Sequence, residues 1–282
     1  MEIKRSITEL IQIRSSWRSF KPIPIEVEKK ERLISFMDSL DAPPFGSRAR
    51  FALIPAVLSK NDRAPGTYGI IRGAHEFLVG AVQSGRMDLE DFGYQFEKII
   101  LCATDLGLGT CWMGGTFERT RFAERIGLKP SEFLPAVSPV GYRADKRSLI
   151  DSAFRLGAAS RKRKPWKELF YEKDFTEHLS PLQAGKFRNV LEMVRMAPSA
   201  SNKQPWRIIK HDDTFHFFLA RSHGLNKIFS MDLQRIDMGI AMAHFELALA
   251  EQGLNGKWLD ADATAPFLPE RIEYIVSYQT SG

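Results

Sequence analysis

Two cysteines, Cys102 and Cys111, are all that this chain of 282 residues contains. They form neither a disulfide framework nor a metal-ligand spacing, so a reduced, cytoplasmic setting is the default expectation. No apolar stretch approaches the roughly 18 to 20 residues that a membrane helix needs. The opening MEIKRSITELIQIRSSWRSF lacks the uninterrupted apolar centre of a signal peptide. The histidines show neither metal-like nor triad spacing. A glycine-rich dinucleotide fingerprint, a Walker motif and a Gly-x-Ser-x-Gly elbow are missing as well. A nicotinamide cofactor, if used, is therefore not expected in a Rossmann fold.

What is present starts with charge. Forty Lys and Arg against 34 Asp and Glu give a net charge of +6, which favours anionic ligands in general. The densest basic run, SRKRKPW at 160–166, fits either a solvated basic face or a phosphate contact. No aromatic residues interleave with it as a single-strand groove would need. No nucleic-acid partner is expected.

The chain also repeats itself. DFGYQFEKIILCATDLGLGTCW begins at Asp91 and DMGIAMAHFELALAEQGLNGKW at Asp237. Asp91, Gly93, Gly107, Leu108 and Trp112 match Asp237, Gly239, Gly253, Leu254 and Trp258, always 146 residues apart. Both stretches carry apolar residues at helical spacing. Each opens with an Asp suited to an N-cap and closes at a Gly suited to the position after a helix. A second register, offset by 155, lays DAPPFGSRARFALI (41–54) over MAPSASNKQPWRII (196–209), and RSSWRSF over LFYEKDF. Strand-like runs are FALIPAVL (51–58), EFLVGAV (76–82), AVSPVGY (136–142), TFHFFLA (214–220) and IEYIVSYQ (272–279). FERTRFAERIGLKPSEF (117–133) predicts a short helix stopped at Gly127.

The copies differ where chemistry would need them to. The first owns Arg14, Ser16 and Arg18, a set of guanidiniums and hydroxyl that suits a phosphate dianion. The second owns Pro198, Ser199, Asn202, Gln204 and Pro205, a loop stiffened by proline and rich in short donors and acceptors. Each copy lacks what the other keeps, so a single ligand using both would need each only once.

These residues resemble the FMN-dependent nitroreductase family. RSSWRSF is similar to its Arg-Arg-Ser-x-Arg-x-Phe pattern, with Ser15 in place of the second Arg. MAPSASNKQPWRII resembles its Ala-Pro-Ser-x-x-Asn-x-Gln-Pro-Trp loop, GLGTCWMGGTF (107–117) its Gly-Leu-Gly-x-x-Trp-x-Gly-Gly turn, and PVGY (139–142) its late strand. The resemblance implies an α+β fold of two tandem half-units, each a mostly antiparallel sheet flanked by helices, fused as an intramolecular pseudodimer. Residues 1–165 would be the first half and 166–282 the second. By the same resemblance, Arg14, Ser16 and Arg18 would hold the FMN phosphate and ribityl chain, with Arg161 and Arg163 as late basic contacts. Gly114 and Gly115 would admit the flavin ring, GTYGIIRG (66–73) would touch its pyrimidine side, and Pro198, Ser199, Asn202 and Gln204 would border it. The implied activity is transfer of hydride from a transient NAD(P)H, by a ping-pong route, to a small electron-poor acceptor such as a nitroaromatic or quinone. The alternative is a flavin-binding or ligand-sensing protein with little turnover. A monomeric pseudodimer or a further homodimer is expected, with no membrane partner and no metal.

Overall fold

The computed structural model describes residues 3–56, 64, 66–146, 162–222, 231–259 and 268–281. The chain divides into two compact units, Met1–Ser160 and Arg161–Gly282.

Unit 1 begins with α1 (Ile7–Ile13). Ser6 caps this helix by accepting the Glu9 N–H, the first half of a Ser-x-x-Glu capping box. Then come α2 (Val27–Asp38), β1 (Ala49–Pro55), β2 (Glu76–Gln83) and the long α3 (Asp88–Asp105). Short β3 (Gly109–Thr110), α4 (Arg119–Ile126), β4 (Glu132–Phe133) and β5 (Val137–Gly141) complete it. The strands run in the order β1-β2-β5-β3, all antiparallel, with β4 also pairing β2. Strand β2 is buried along almost its whole length, which explains why it reads as a continuous apolar run rather than an alternation. One of its faces meets a cluster with Phe20, Phe117 and Phe122. The other meets α3, where Gly80 makes room for the rings of Phe51 and Phe92.

Unit 2 contains β6 (Phe170–Glu172), α5 (Arg188–Met196), β7 (Trp206–His211), β8 (Thr214–Ala220), α6 (Leu233–Glu251), β9 (Gly256–Leu259) and β10 (Ile272–Thr280). Its strand order is β6-β7-β8-β10-β9. Apart from β6, which joins β7 in parallel, this is the order of unit 1 again, with α6 in the place of α3. Phe215 and Phe217 of β8 pack on Phe245 of α6, as Phe51 packs on Phe92 and Phe96 of α3.

The repeat extends to the helix ends. Gly107 and Gly253 both take left-handed φ, +78° and +72°. After α3, Leu108 N–H bonds Ala103 O and Gly107 N–H bonds Thr104 O; after α6, Leu254 and Gly253 make the same pair of bonds to Leu249 and Ala250. Both are Schellman closures, for which glycine is the residue without a Cβ penalty. Gly127, at φ +60°, ends α4 as expected. At the other end the expectation changes. The helices start at Asp88 and Leu233, about a turn before Asp91 and Asp237, so neither aspartate is an N-cap. Their carboxylates accept backbone N–H groups from the loop that precedes β1 in unit 1 and β7 in unit 2.

Candidate functional site

In unit 1 the basic motif leaves the helix before it begins. Arg14 is the C-cap of α1 and turns the chain extended at ψ 128°. Arg14 and Arg18 therefore do not form a pair on a helix surface. Ser16 bridges Thr110 of β3 in parallel, and Trp17 N–H donates to Thr110 O at 2.8 Å. Arg72 N–H donates to Arg18 O at 3.0 Å, and Arg72 O accepts from Phe20 N–H at 2.9 Å. Lys21 N–H donates to Tyr142 O at 2.8 Å. The crossing is close: a Cβ on Gly73, at φ +73°, would lie 2.1 Å from Phe20 O, so only glycine fits.

This strapping holds the Arg14 side chain at 6% exposure with its Nε 3.9 Å from Glu97 Oε1. That is an ion-pair distance and too long for a hydrogen bond. The buried Nε has no hydrogen-bond partner, and neither has Arg72 Nε. The other oxygen of Glu97 accepts Trp112 Nε1–H at 2.7 Å. In unit 2, Trp258 donates in the same way to Glu246 at 2.7 Å. Glu246 lies 12 residues before its tryptophan and Glu97 lies 15 before. The carboxylate has moved by about one helical turn between the copies, and in unit 1 that shift puts it against Arg14.

Beyond β3 the chain forms the Gly114–Gly115 turn. Met113 exchanges two backbone bonds with Val137, at 2.9 and 3.0 Å, and Cys111 N–H donates to Ser138 Oγ at 3.0 Å. Arg119, at the start of α4, donates from Nη2 to Gly114 O at 2.6 Å and to Pro135 O at 3.3 Å, and from Nε to Leu134 O at 3.3 Å. Its guanidinium lies 4.9 Å from the Phe117 ring centre. Burial pulls its pKa down. Both cysteines are buried, and burial pushes the Cys102 thiol, on α3, up to about 12.

In unit 2 the polar loop folds onto the basic run. Arg163 Nη1 donates to Asn202 Oδ1 at 2.6 Å and Nη2 to Met196 O at 3.0 Å. Asn202 Nδ2 donates to Lys162 O at 2.9 Å. Lys164 N–H donates to Gln204 Oε1 at 2.8 Å, and Ser199 Oγ accepts Gln204 N–H at 2.9 Å. Gln204 is only 3% exposed and its Nε2 bonds back to Asn202 O at 3.1 Å. Its amide is therefore spent inside the loop, where the sequence alone had offered it to a ligand. The cause is backbone shape. Ser201, Asn202 and Gln204 all have positive φ, +50°, +55° and +48°, a strained geometry for residues with side chains. The Gln204 amide satisfies backbone groups that this geometry leaves open. Burial first, then the neighbouring cations Arg207 and Lys203, lower the pKa of Lys164, so positive charge is concentrated beside the loop. Pro198 follows directly on the C-cap of α5. Arg161 lies outside the described residues.

The basic segment has no counterpart at the matched place in unit 2. There LFYEKDF forms β6 and pairs in parallel with β7, so the anion motif was replaced by a strand and not merely by other side chains.

The family model described as "Putative TM nitroreductase" matches residues 6–249 of the chain. The chain belongs to this nitroreductase family. A crystal structure of a "putative nitroreductase" from Thermotoga maritima aligns with it over 99% of this chain and 95% of that one, at 20% identity and a TM-score of 0.60. That match shows a shared fold. Shorter relatives cover about half of the nitroreductase chain. An "FMN-dependent Nitroreductase" from Clostridium difficile R20291 covers 51% of this chain and 92% of its own, at 19% identity and a TM-score of 0.40. A nitroreductase "with Bound FMN" from Bacteroides fragilis covers 52% and 92%, at 13% identity and a TM-score of 0.41. No protein with a curated description matches.

Sequence reasoning on this nitroreductase placed Arg14, Ser16 and Arg18 on one segment, and the structure lays that segment along β3, which leads into the Gly114–Gly115 turn. It marked the segment 66–73 that holds Arg72 without singling that residue out, and it missed Glu97 and Arg119. Each acts through a partner distant in sequence or through a backbone carbonyl, and no local pattern marks such a contact. The 15-against-12 spacing of the Glu–Trp pairs was the one signal available for Glu97. Among the described residues no cluster of His, Cys, Asp and Glu could hold a metal ion, and no helix is long and apolar enough to cross a membrane.

Proposed function

We propose that this nitroreductase binds FMN and transfers reducing equivalents from NAD(P)H to a small electron-poor acceptor such as a nitroaromatic or quinone. The observation that carries the reading is Arg14, a buried guanidinium whose Nε makes no hydrogen bond although it lies at ion-pair distance from Glu97. A phosphate monoester supplies oxygens to which such a donor can bond, and bonds between ionised partners are the strong ones. Arg18 and Ser16 lie on the same strapped segment and would complete the phosphate and ribityl contacts. Arg72 Nε is a further buried donor beside that segment.

The Gly114–Gly115 turn would let the backbone approach the flavin ring. In unit 2, Gln204 and Arg163 hold the loop of Pro198, Ser199 and Asn202 in shape from within. Because the Arg14, Ser16 and Arg18 set occurs only in unit 1, the reading gives one FMN per chain. Bound FMN would supply the hydride chemistry that links NAD(P)H to the acceptor. The residues orient the reactants, exclude water and stabilise developing negative charge, which are the contributions expected where no side chain must act as acid or base.

Changing Arg14 and Arg18 together to Ala removes two charge-assisted contacts worth roughly 1.5–3 kcal/mol each. FMN affinity should fall by about a hundredfold or more, riboflavin affinity should fall much less because it lacks the phosphate, and the far-UV spectrum should remain that of the folded protein. Because the double change leaves Glu97 without its cation, Arg18→Ala alone serves as a milder variant and should shift FMN affinity in the same direction. Stoichiometric FMN retained by the double variant would contradict the site.

A further inference from the structure

Arg119 is a half-buried cation in unusual company. Its bonds run to three carbonyl oxygens, those of Gly114, Leu134 and Pro135, and among the described residues no carboxylate pairs with it. A guanidinium neutralised by a carboxylate would present little net charge to its surroundings. This one keeps its full charge against backbone dipoles. Its shortest bond, 2.6 Å, goes to Gly114 O.

That carbonyl and the Gly115 N–H are the two ends of one peptide group. A charge-assisted bond at the oxygen draws electron density through the amide and makes the N–H a stronger donor, because linked hydrogen bonds polarise one another. The same contacts tie the turn to the carbonyls of Leu134 and Pro135, so the peptide is fixed as well as polarised. The second copy of the sequence supports a link between the parts. At the offset of 146, Asp260 and Ala261 stand where unit 1 has Gly114 and Gly115, and Ala265 stands where it has Arg119. The copy that lacks the glycine pair lacks the arginine too.

We propose that Arg119 is a positioning residue that tunes the redox ligand of this turn. By polarising the Gly114–Gly115 peptide, it makes the site bind the electron-rich, reduced form of the ligand more tightly than the oxidised form. The inference rests on the reading that FMN occupies the turn. Arg119 touches neither the acceptor nor the ring; it acts through Gly115 N–H and through its own unneutralised charge.

The test compares wild type with Arg119→Met and Arg119→Gln, measuring the dissociation constant for oxidised FMN and the midpoint potential of the bound flavin. Arg119→Met should change oxidised FMN affinity only slightly. Its preference for the reduced form should fall by about tenfold, the order of one charge-assisted hydrogen bond. For a two-electron couple that is a potential lower by about 30 mV. Arg119→Gln can still donate to Gly114 O but carries no charge, and should lower the potential by a smaller amount. It also covers the case in which the Met variant does not fold. A purely structural role would weaken both redox forms equally and leave the potential where it was. An unchanged or raised potential in an FMN-loaded variant overturns the inference and leaves the FMN reading standing. Wild-type protein that takes up no FMN overturns that reading, and this inference with it.

Discussion

A single carboxylate oxygen separates the two copies of the loop that lies ahead of β1 in unit 1 and of β7 in unit 2. Asp91 accepts Phe45 N–H at 3.1 Å and Ser47 N–H at 2.9 Å, one on each oxygen. Asp237 accepts the matched Ala200 N–H at 2.9 Å, while its buried Oδ2 has no partner. The residue matching Ser47 is Asn202, whose N–H has turned to Ser199 O. Unit 2 has thus reshaped its loop into left-handed backbone and given up one anchor. Burial pushes the Asp237 carboxyl well above its ordinary value. The folded state then holds a proton that the unfolded chain releases near pH 4, so this group's contribution to stability is present at low pH and is lost as pH rises toward the elevated pKa. Asp237→Asn imitates the protonated acid and keeps an oxygen for Ala200. The variant should gain stability relative to wild type on moving from pH 4.5 to pH 8, as read by thermal unfolding at both values. An identical difference at the two pH values would mean that Asp237 is not the buried acid described.

At the scale of elements, the turn that carries Gly114 depends on how α4 is anchored. Arg50 of β1 meets Glu132 of β4 through two parallel bonds, 2.9 and 2.8 Å, and caps the carbonyls of Ile126 and Gly127 at the end of α4. The Arg50 hydrogen bond, ahead of its charge, holds the Glu132 carboxyl down at about 2. That stabilisation is present above the ordinary glutamate value and disappears as pH falls through about 2. Glu132→Gln should cost about 1–2 kcal/mol at pH 7, and denaturant unfolding repeated near pH 2 should show the cost vanish. Elements such as α5, β2, β8 and β10 were legible because long apolar runs or helical spacing announce them. The two-residue strands β3 and β4 were not, because a pair of residues carries no period, and they exist only through pairing with β5 and β2. Helix starts were misplaced for a related reason. Asp91 and Asp237 look like caps in sequence, but their carboxylates serve a loop some 35 to 45 residues earlier in the chain. The Arg14 segment was legible by residue type, since few other sets suit a phosphate. The self-satisfied Gln204 was not, because its partners depend on backbone angles that no motif encodes.

At the scale of the molecule, the two units share strand order, helix position and helix-ending geometry, and differ in the segments that would meet a ligand. The scaffold is common to both copies and the donors are not: Arg14, Ser16, Arg18 and the glycine turn lie in unit 1, the strained polar loop in unit 2. The proposed function puts one flavin on each chain. The visible spectrum of the purified, desalted nitroreductase, with released flavin quantified per chain, tests this. The expected result is about one FMN per chain, directly or after soaking with FMN. Two per chain, or none after soaking, would contradict it.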